Sequence, residues 1–142
     1  MGVVFTASQF KAANAYEADA KARFGNHFLE FVESDFSKTL FASWFYKRLC
    51  STFGHIAHFD QDGFFGTFFT TAYKKVRFLE RTLNRVPVGD PECTYSDVER
   101  AIQRVVVDRG YLAVYAAKVL AEVESAERAE LARLKAKYEP PA

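Results

Sequence analysis

All fifteen phenylalanines of this chain lie between Phe5 and Phe78, and none occurs in the remainder of the 142 residues. Together with other large apolar residues they recur three or four positions apart, which is the spacing of one face of an α-helix. No segment shows the alternation of apolar and polar residues that is typical of a half-buried strand, and the one β-branched run, at 105–107, lies inside a helical pattern. The sequence therefore predicts an all-α domain in which most phenylalanine rings fill the space between long helices.

The composition limits the class of protein. Hydrophobic residues make up 49% and charged residues 26% of the chain, as in an ordinary soluble globular domain and unlike a disordered or collagen-like chain. No apolar run reaches the ~18 residues that a membrane span needs, and the N-terminus lacks the basic and apolar regions of a secretory signal. Cys50 and Cys93 are isolated, which argues against a disulfide framework or a zinc knuckle and favours a cytoplasmic protein. Gly2 and Thr6 also fit the short pattern for N-myristoylation.

The apolar periodicity and the capping residues predict about five helices. Gly25 and Asn26 are expected to end the first helix, a turn is expected at 60–63, and Ser96 with Glu99 has the spacing of a capping box. The second helix is apolar all round in its first half, which predicts a central, buried position. The predicted helices run from Thr6 or Ser8 to Phe24, from Asp35 or Ser37 to Phe59, from Phe64 to Asn84, from Ser96 to Gly110 and from Tyr111 to Tyr138, with a short helix or turn around 28–32.

The last helix changes character along its length. It is apolar as far as Val123, and beyond that point only Leu131, Leu134 and Tyr138 are larger apolar groups. Such a segment cannot be packed deeply, so it is either solvated or docks on another chain, including a second copy of this one. We therefore expect a single-domain bundle with a helical core at 1–123 and a protruding C-terminal helical extension at 124–142.

The near-neutral total charge of +1 hides an uneven distribution. Residues 1–37 and 86–142 each carry a net charge of −2, whereas residues 38–85 carry eight basic and three acidic side chains, a net charge of +5. Within the third predicted helix, Lys74, Arg77, Arg81 and Arg85 fall in a sector of about 80° opposite the apolar stripe. Phe78 lies close to this line of cations and is expected to be exposed among them.

A helix face with several cations and an exposed ring has two functional interpretations. The cations could bind the phosphates of a nucleic acid while the ring stacks on a base, or the face could contact an acidic protein surface. It could also be an ordinary solvated face, with Phe78 covered by a neighbouring helix. The candidate binding residues are Lys47, Arg48, Lys74, Lys75, Arg77, Phe78, Arg81 and Arg85.

A metal site is the alternative prediction. His55 and His58 are three residues apart on the second predicted helix, and Asp62 lies one turn further on, a grouping that can hold a transition metal. Calcium is excluded because an EF-hand alignment puts Phe69 where a bidentate glutamate is required. Haem is disfavoured because no histidine follows His58 on a later helix.

No hydrolase triad, phosphate-binding loop or dinucleotide fingerprint occurs in the sequence, so no catalytic residue and no cofactor is predicted. The sequence favours a small, non-enzymatic, cytoplasmic binding protein, an adaptor or an inhibitor within a larger assembly. Its basic helical face between Lys47 and Arg85 is expected to contact nucleic acid or an acidic protein. The alternative is a metal- or ligand-binding helical domain centred on His55 and His58.

Overall fold

The computed structural model describes residues 3–53 and 60–139. Within these ranges the chain is helical and contains no strand, which confirms the predicted all-α bundle with a C-terminal helix. None of the described helices is long and apolar enough to cross a lipid bilayer. The α-helices are α1 (Ala15–Glu33), α2 (Ser43–Phe53), α3 (Gln61–Phe68), α4 (Ala72–Asn84), α5 (Ser96–Asp108) and α6 (Tyr111–Tyr138), and two 3₁₀ helices span Ala7–Gln9 and Lys38–Leu40.

The core is a cluster of phenylalanine rings contributed by α1, the segment between α1 and α2, α2, α3 with the residue that follows it, and α4. Phe31 of α1 is completely buried, and its ring centroid lies 5.3 Å from that of Phe45 and 5.0 Å from that of Phe69. Phe78 of α4 reaches the same cluster, with its ring centroid 4.8 Å from that of Phe69. Edge-to-face and tilted ring pairs at these distances add specific contacts to the burial of apolar area.

The predicted end of the first helix at Phe24 is wrong. Asn14 caps α1, and the helix runs on through Gly25 and Asn26. Contacts with Phe5 account for the presence of both Gly25 and Asn26 inside the helix. The Phe5 ring packs so closely on Gly25 that a Cβ there would lie 2.6 Å from the ring, and the Phe5 backbone N–H donates to Oδ1 of Asn26 at 2.8 Å. Tertiary contacts with the N-terminal segment, rather than helix termination, therefore account for the Gly-Asn pair.

The long second helix predicted from Asp35 or Ser37 is also interrupted. Asp35 and Phe36 adopt left-handed backbone conformations, with φ of 62° and 56°. The backbone N–H groups of Asp35 and Phe36 donate to the carbonyls of Val32 and Phe31, which is the hydrogen-bond pattern of a Schellman motif. Phe36 is inserted into the core, so α2 begins only at Ser43, and the expected helix to Phe59 is described as far as Phe53.

The third predicted helix is two helices. Asp60 caps α3 by accepting from the N–H of Gly63 at 2.6 Å, so the expected turn at 60–63 is the N-cap and first turn of a helix. Thr71 caps α4 in the same way, through a 3.1 Å bond from the N–H of Lys74. Residues 69–71 between α3 and α4 are not helical, so the two helices do not share one continuous buried face.

The start of α5 at Ser96 and the span of α6 agree with the prediction, whereas the capping box does not form. Tyr95 occupies the N-cap position, the Ser96 hydroxyl donates to the Gly89 carbonyl at 3.0 Å, and Glu99 is buried in an ion pair. α6 packs against α4 and α5 through its first turns, where the Tyr115 hydroxyl donates to the carbonyl of Val32 at 2.6 Å. Every described residue from 120 onward is exposed.

Candidate partner-binding groove

The predicted basic face contains two kinds of cation in the structure: some are bonded to other groups of the bundle, and others are exposed to solvent. Lys74 donates through Nζ to the Gly66 carbonyl at 2.9 Å, and Lys75 forms a 3.0 Å ion pair with Asp35. Arg85 forms a 2.8 Å ion pair with the buried Glu99. These three side chains hold α3, the α1 terminus and α5 in place, so they are not a continuous surface for a polyanion.

The expected exposure of Phe78 is wrong. Its side chain is 1% exposed, because the break before α4 sets the phase of that helix so that Phe78, Leu79 and Thr82 face the core. The ring stacks at 6.2 Å from that of Phe28. Phe78 is thus a core residue and not a stacking platform.

Three cations of the predicted face remain exposed: Lys47, Arg77 and Arg81. Arg77 lies 3.6 Å from Glu80 in a solvent-exposed pair, which is weak at a surface. Arg48, the remaining member, lies half-buried in a groove on another side of α2.

Two of the three residues of the alternative metal site, His55 and His58, lie outside the described residues, as does Gly2 of the acylation pattern. Asp62 is exposed, and its carboxylate is 3.7 Å from Nζ of Lys38. The part of the chain that the structure describes contains no group of three or more metal-ligating side chains. His27 bonds through Nε2 to the carbonyl of Leu40 at 2.6 Å, which explains a histidine at this position.

A groove of about 850 Å³ lies between α1, α2, the start of α5 and the loop that precedes α5. We call it the arginine groove, because Arg23 of α1 and Arg48 of α2 both line it. Trp44, the single tryptophan of the chain, also lines the groove and is 41% exposed. Cys93 lines it from the loop and carries a free, exposed thiol.

Both guanidinium groups lie over aromatic rings. Cζ of Arg23 lies 5.4 Å from the ring centroid of Trp44, and Cζ of Arg48 lies 4.2 Å from that of Tyr95. Neither arginine forms an ion pair within residues 3–53 and 60–139. A cation–π contact orders a guanidinium without using its N–H donors, which a carboxylate can still accept through two parallel hydrogen bonds.

The wall of the groove contains buried polar groups, most of which are satisfied. Lys21 is 3% exposed and donates to Asp97 Oδ1 at 3.0 Å and to two backbone carbonyls. Glu99 accepts from Arg85. The exception is Thr52, which is 6% exposed and whose hydroxyl has no hydrogen-bond partner among the described residues. A buried hydroxyl without a partner costs free energy, and because the Thr52 oxygen is itself closed off from solvent, it is a cost to the fold rather than a contact for a group in the groove.

The phenol of Tyr95, which lines the groove, lies near several charged side chains. Burial raises the pKa of its phenol, Arg48 and Arg23 act to lower that pKa, and Glu17 and Asp97 act to raise it. Charges of both signs therefore surround one ring. Glu17 and Glu92 also line the groove, so its mouth carries acidic as well as basic side chains.

Sequence reasoning found Arg48 and missed the rest of the groove, including Arg23, Trp44, Thr52 and Tyr95. One signal was available: Trp44 and Arg48 are four residues apart and therefore share a face of α2. The other contacts join α1, α2 and α5 across long sequence separations, which no spacing reveals. No protein-family model, curated protein or solved structure matches this chain.

Proposed function

We propose that this is a non-enzymatic, cytoplasmic binding protein, an adaptor or inhibitor, that takes an acidic segment of a partner protein into the arginine groove. The observation that carries the proposal is the pair Arg23 and Arg48. Both are fixed by aromatic rings at an open groove, and both lack an ion pair within the described residues.

The chemistry of the pair favours a carboxylate. An arginine that is already ordered by stacking loses less conformational entropy when it binds a ligand. Two such arginines on neighbouring helices suit side-chain carboxylates of an extended or turn-containing segment.

An acidic protein fits the groove better than a nucleic acid does. Glu17 and Glu92 line the groove beside the two arginines, and a chain of phosphates would be repelled by them. Lys74, Lys75 and Arg85, which the sequence assigns to a basic face, are bonded within the fold. A partner of mixed charge with a few carboxylates matches a mixed groove.

The exposed half of α6 supports a second part of the proposal. It offers a further contact surface, including one for self-association, because every described residue beyond 119 is exposed and several of them are large and apolar.

The test uses two probes of equal length, a peptide that carries a few glutamates spaced by neutral residues and a single-stranded oligodeoxythymidylate, at low ionic strength. Binding is followed by the fluorescence of Trp44, which lines the groove, and by protection of Cys93 from alkylation. We expect the peptide to change both signals. Arg48→Ala and Arg23→Ala should each weaken its binding about tenfold or more, since charge-assisted hydrogen bonds contribute about 1.5–3 kcal/mol.

Two control variants make the result interpretable. Arg48→Lys keeps the charge but removes the planar donor fork, so it should fall between wild type and Arg48→Ala. Arg104→Ala removes an exposed arginine of α5 that does not line the groove and should bind as wild type does. The proposal is overturned if the peptide leaves Trp44 and Cys93 unaffected, or if the oligonucleotide binds instead and loses affinity with Arg81→Glu rather than with Arg48→Ala.

A further inference from the structure

The last part of α6, residues 120–138, which we call the α6 tail, carries an apolar stripe that faces solvent. Five large apolar side chains of the tail are between 37% and 71% exposed: Leu120, Val123, Leu131, Leu134 and Tyr138. At ~100° per residue they fall within a sector of about 80°. Tyr111 and Tyr115, which bury the first turns of α6 against the bundle, point about 120–160° away from the centre of that sector. The bundle therefore leaves this stripe uncovered.

The charges of the α6 tail are segregated along its length. Residues 121–130 contain four glutamates and one arginine, a net charge of −3, and residues 131–138 contain one arginine and two lysines, a net charge of +3. Two copies of the tail that run antiparallel bring the acidic half of each against the basic half of the other. A parallel pair would instead place like charges side by side, which is unfavourable.

We propose that the α6 tail is a self-association surface through which two copies of this chain pair as antiparallel helices. The stripe supplies the apolar contact and the charge segregation sets the direction. This inference rests on the second part of the proposed function, the contact surface of α6, and does not depend on the arginine groove. Glu127 interrupts the middle of the stripe, so the pairing is expected to be of micromolar strength rather than obligate.

The pairing makes a specific cross-copy contact. When the stripe of one copy covers that of the other, the midpoint lies near residue 129, and position 124 of one helix lies opposite positions 134–135 of its partner. Glu124 and Lys135 lie on the same flank of the stripe, within about 20° of each other around the helix. Two symmetric ion pairs between Glu124 and Lys135 therefore form across the two-fold axis.

A solvated single helix is the competing interpretation of the tail. Within one helix Arg128 bonds Glu124 at 2.7 Å, Arg133 bonds Glu130 at 2.6 Å, and the basic last turn suits the helix dipole. These features stabilise an isolated helix, but they give no reason for leucines at 131 and 134 on the same face as Leu120. The two interpretations differ in the mass that they predict for the protein in solution.

The experiment is sedimentation equilibrium of the full chain over a wide concentration range. We expect the mass to rise from the 16.1 kDa of one chain toward twice that value. Leu131→Lys/Leu134→Lys should stay monomeric with unchanged helix content. The control Ala129→Lys/Ala136→Lys adds the same charge to exposed positions on the opposite side of the tail and should dimerise as wild type does.

A charge-swap series tests the direction. Glu124→Lys and Lys135→Glu should each weaken dimerisation about tenfold, because two attractive contacts become repulsive, and the double variant should regain it. A parallel pair predicts no such rescue, since position 124 of one helix would lie level with position 124 of its partner and far along the axis from Lys135. A monomer at every concentration, or a double variant no better than the single ones, overturns the proposal. Arg48→Ala should leave the monomer–dimer equilibrium unchanged, so the groove and the tail are tested separately.

Discussion

Oε1 of Glu99 accepts a 2.8 Å hydrogen bond from Nε of Arg85, although the Glu99 side chain is only 4% exposed. Arg85 also donates through a terminal nitrogen to the carbonyl of Phe53 at 3.0 Å. One guanidinium thus joins the end of α2, the residue after α4 and the first turn of α5. Burial raises the pKa of the Glu99 carboxyl, and Arg85 opposes that rise.

Loss of this cation should destabilise the fold in a pH-dependent way. Arg85→Met leaves a buried carboxylate unpaired, and we expect the free energy of unfolding at pH 7 to fall by about 2–4 kcal/mol. The pKa of Glu99 in the folded state is raised above its ordinary value of 4.5, so the folded state binds the proton more tightly than the unfolded state does. The contribution of Glu99 to stability therefore falls as the pH rises from its ordinary pKa through its raised pKa in the folded state. Urea unfolding should therefore show a smaller loss at pH 4 than at pH 7. Equal losses at both values would contradict this account, and Arg85→Met/Glu99→Gln should recover part of the stability.

Asp35 should contribute to stability with the opposite sign of pH dependence. Lys75 and Lys118 lie 3.0 and 3.4 Å from its carboxylate and hold its pKa below the usual value despite partial burial. Its contribution is thus present above about pH 4 and is lost as pH falls through the lowered pKa. Asp35→Asn, which tolerates the left-handed backbone at φ 62°, should cost about 0.5–1 kcal/mol at neutral pH and little in strong acid. Asp62→Asn, at an exposed pair, is the control and should cost nothing measurable.

Gly25→Ala tests whether the N-terminal segment is fixed by the absence of a side chain at this position. Alanine favours a helix interior by about 1 kcal/mol, but its Cβ would lie 2.6 Å from the buried ring of Phe5. We expect the displaced ring to outweigh the propensity, with a net loss of about 1–2 kcal/mol. Limited proteolysis should then cut before α1 faster than in wild type. A stabilised, equally resistant variant would show that Phe5 moves aside at little cost.

Thr52→Val separates stability from binding. Valine has nearly the shape of threonine and removes a buried hydroxyl that lacks a partner among the described residues. The free energy of unfolding should therefore increase by about 1 kcal/mol, and the thermal midpoint should rise accordingly. Because the Thr52 oxygen is itself closed off from solvent, the same change should leave binding of the acidic peptide in the arginine groove unaffected. Thr82→Val is the comparison, because the Thr82 hydroxyl donates to the Phe78 carbonyl at 3.0 Å and its removal should not stabilise the protein. If Thr52→Val is destabilising, the hydroxyl is satisfied in solution.

Truncation after Val123 should leave the bundle intact. All described residues beyond that point are exposed, so their removal loses almost no core contact, and the free energy of unfolding should change by less than about 1 kcal/mol. The truncated chain should also be monomeric at concentrations where the full chain dimerises. A large loss of stability, measured by thermal unfolding at a dilution where both forms are monomers, would place the tail in the core.

The local part of the fold could be predicted from the sequence. Phe45, Leu49 and Phe53 are spaced as one helix face and are buried as one, and the polar composition beyond Val123 predicts the exposure of the end of α6. Helix boundaries were harder to predict, because they depend on contacts with residues far away in the sequence. Asn26 holds the backbone of Phe5, and Phe36 enters the core from a left-handed turn.

The sequence by itself determined the class of fold, the uneven charge and the identity of the cations, because helical period and charge are local properties of a chain. Only the tertiary structure decided which cations are available. Lys75 pairs with Asp35 in the turn after α1 and Arg85 pairs with Glu99 of α5, whereas Arg23 and Arg48 lie over aromatic rings and form no ion pair within the described residues. An ion pair or a stacking contact forms between residues that packing brings together, and packing joins residues such as Arg48 and Tyr95 that are far apart in the chain.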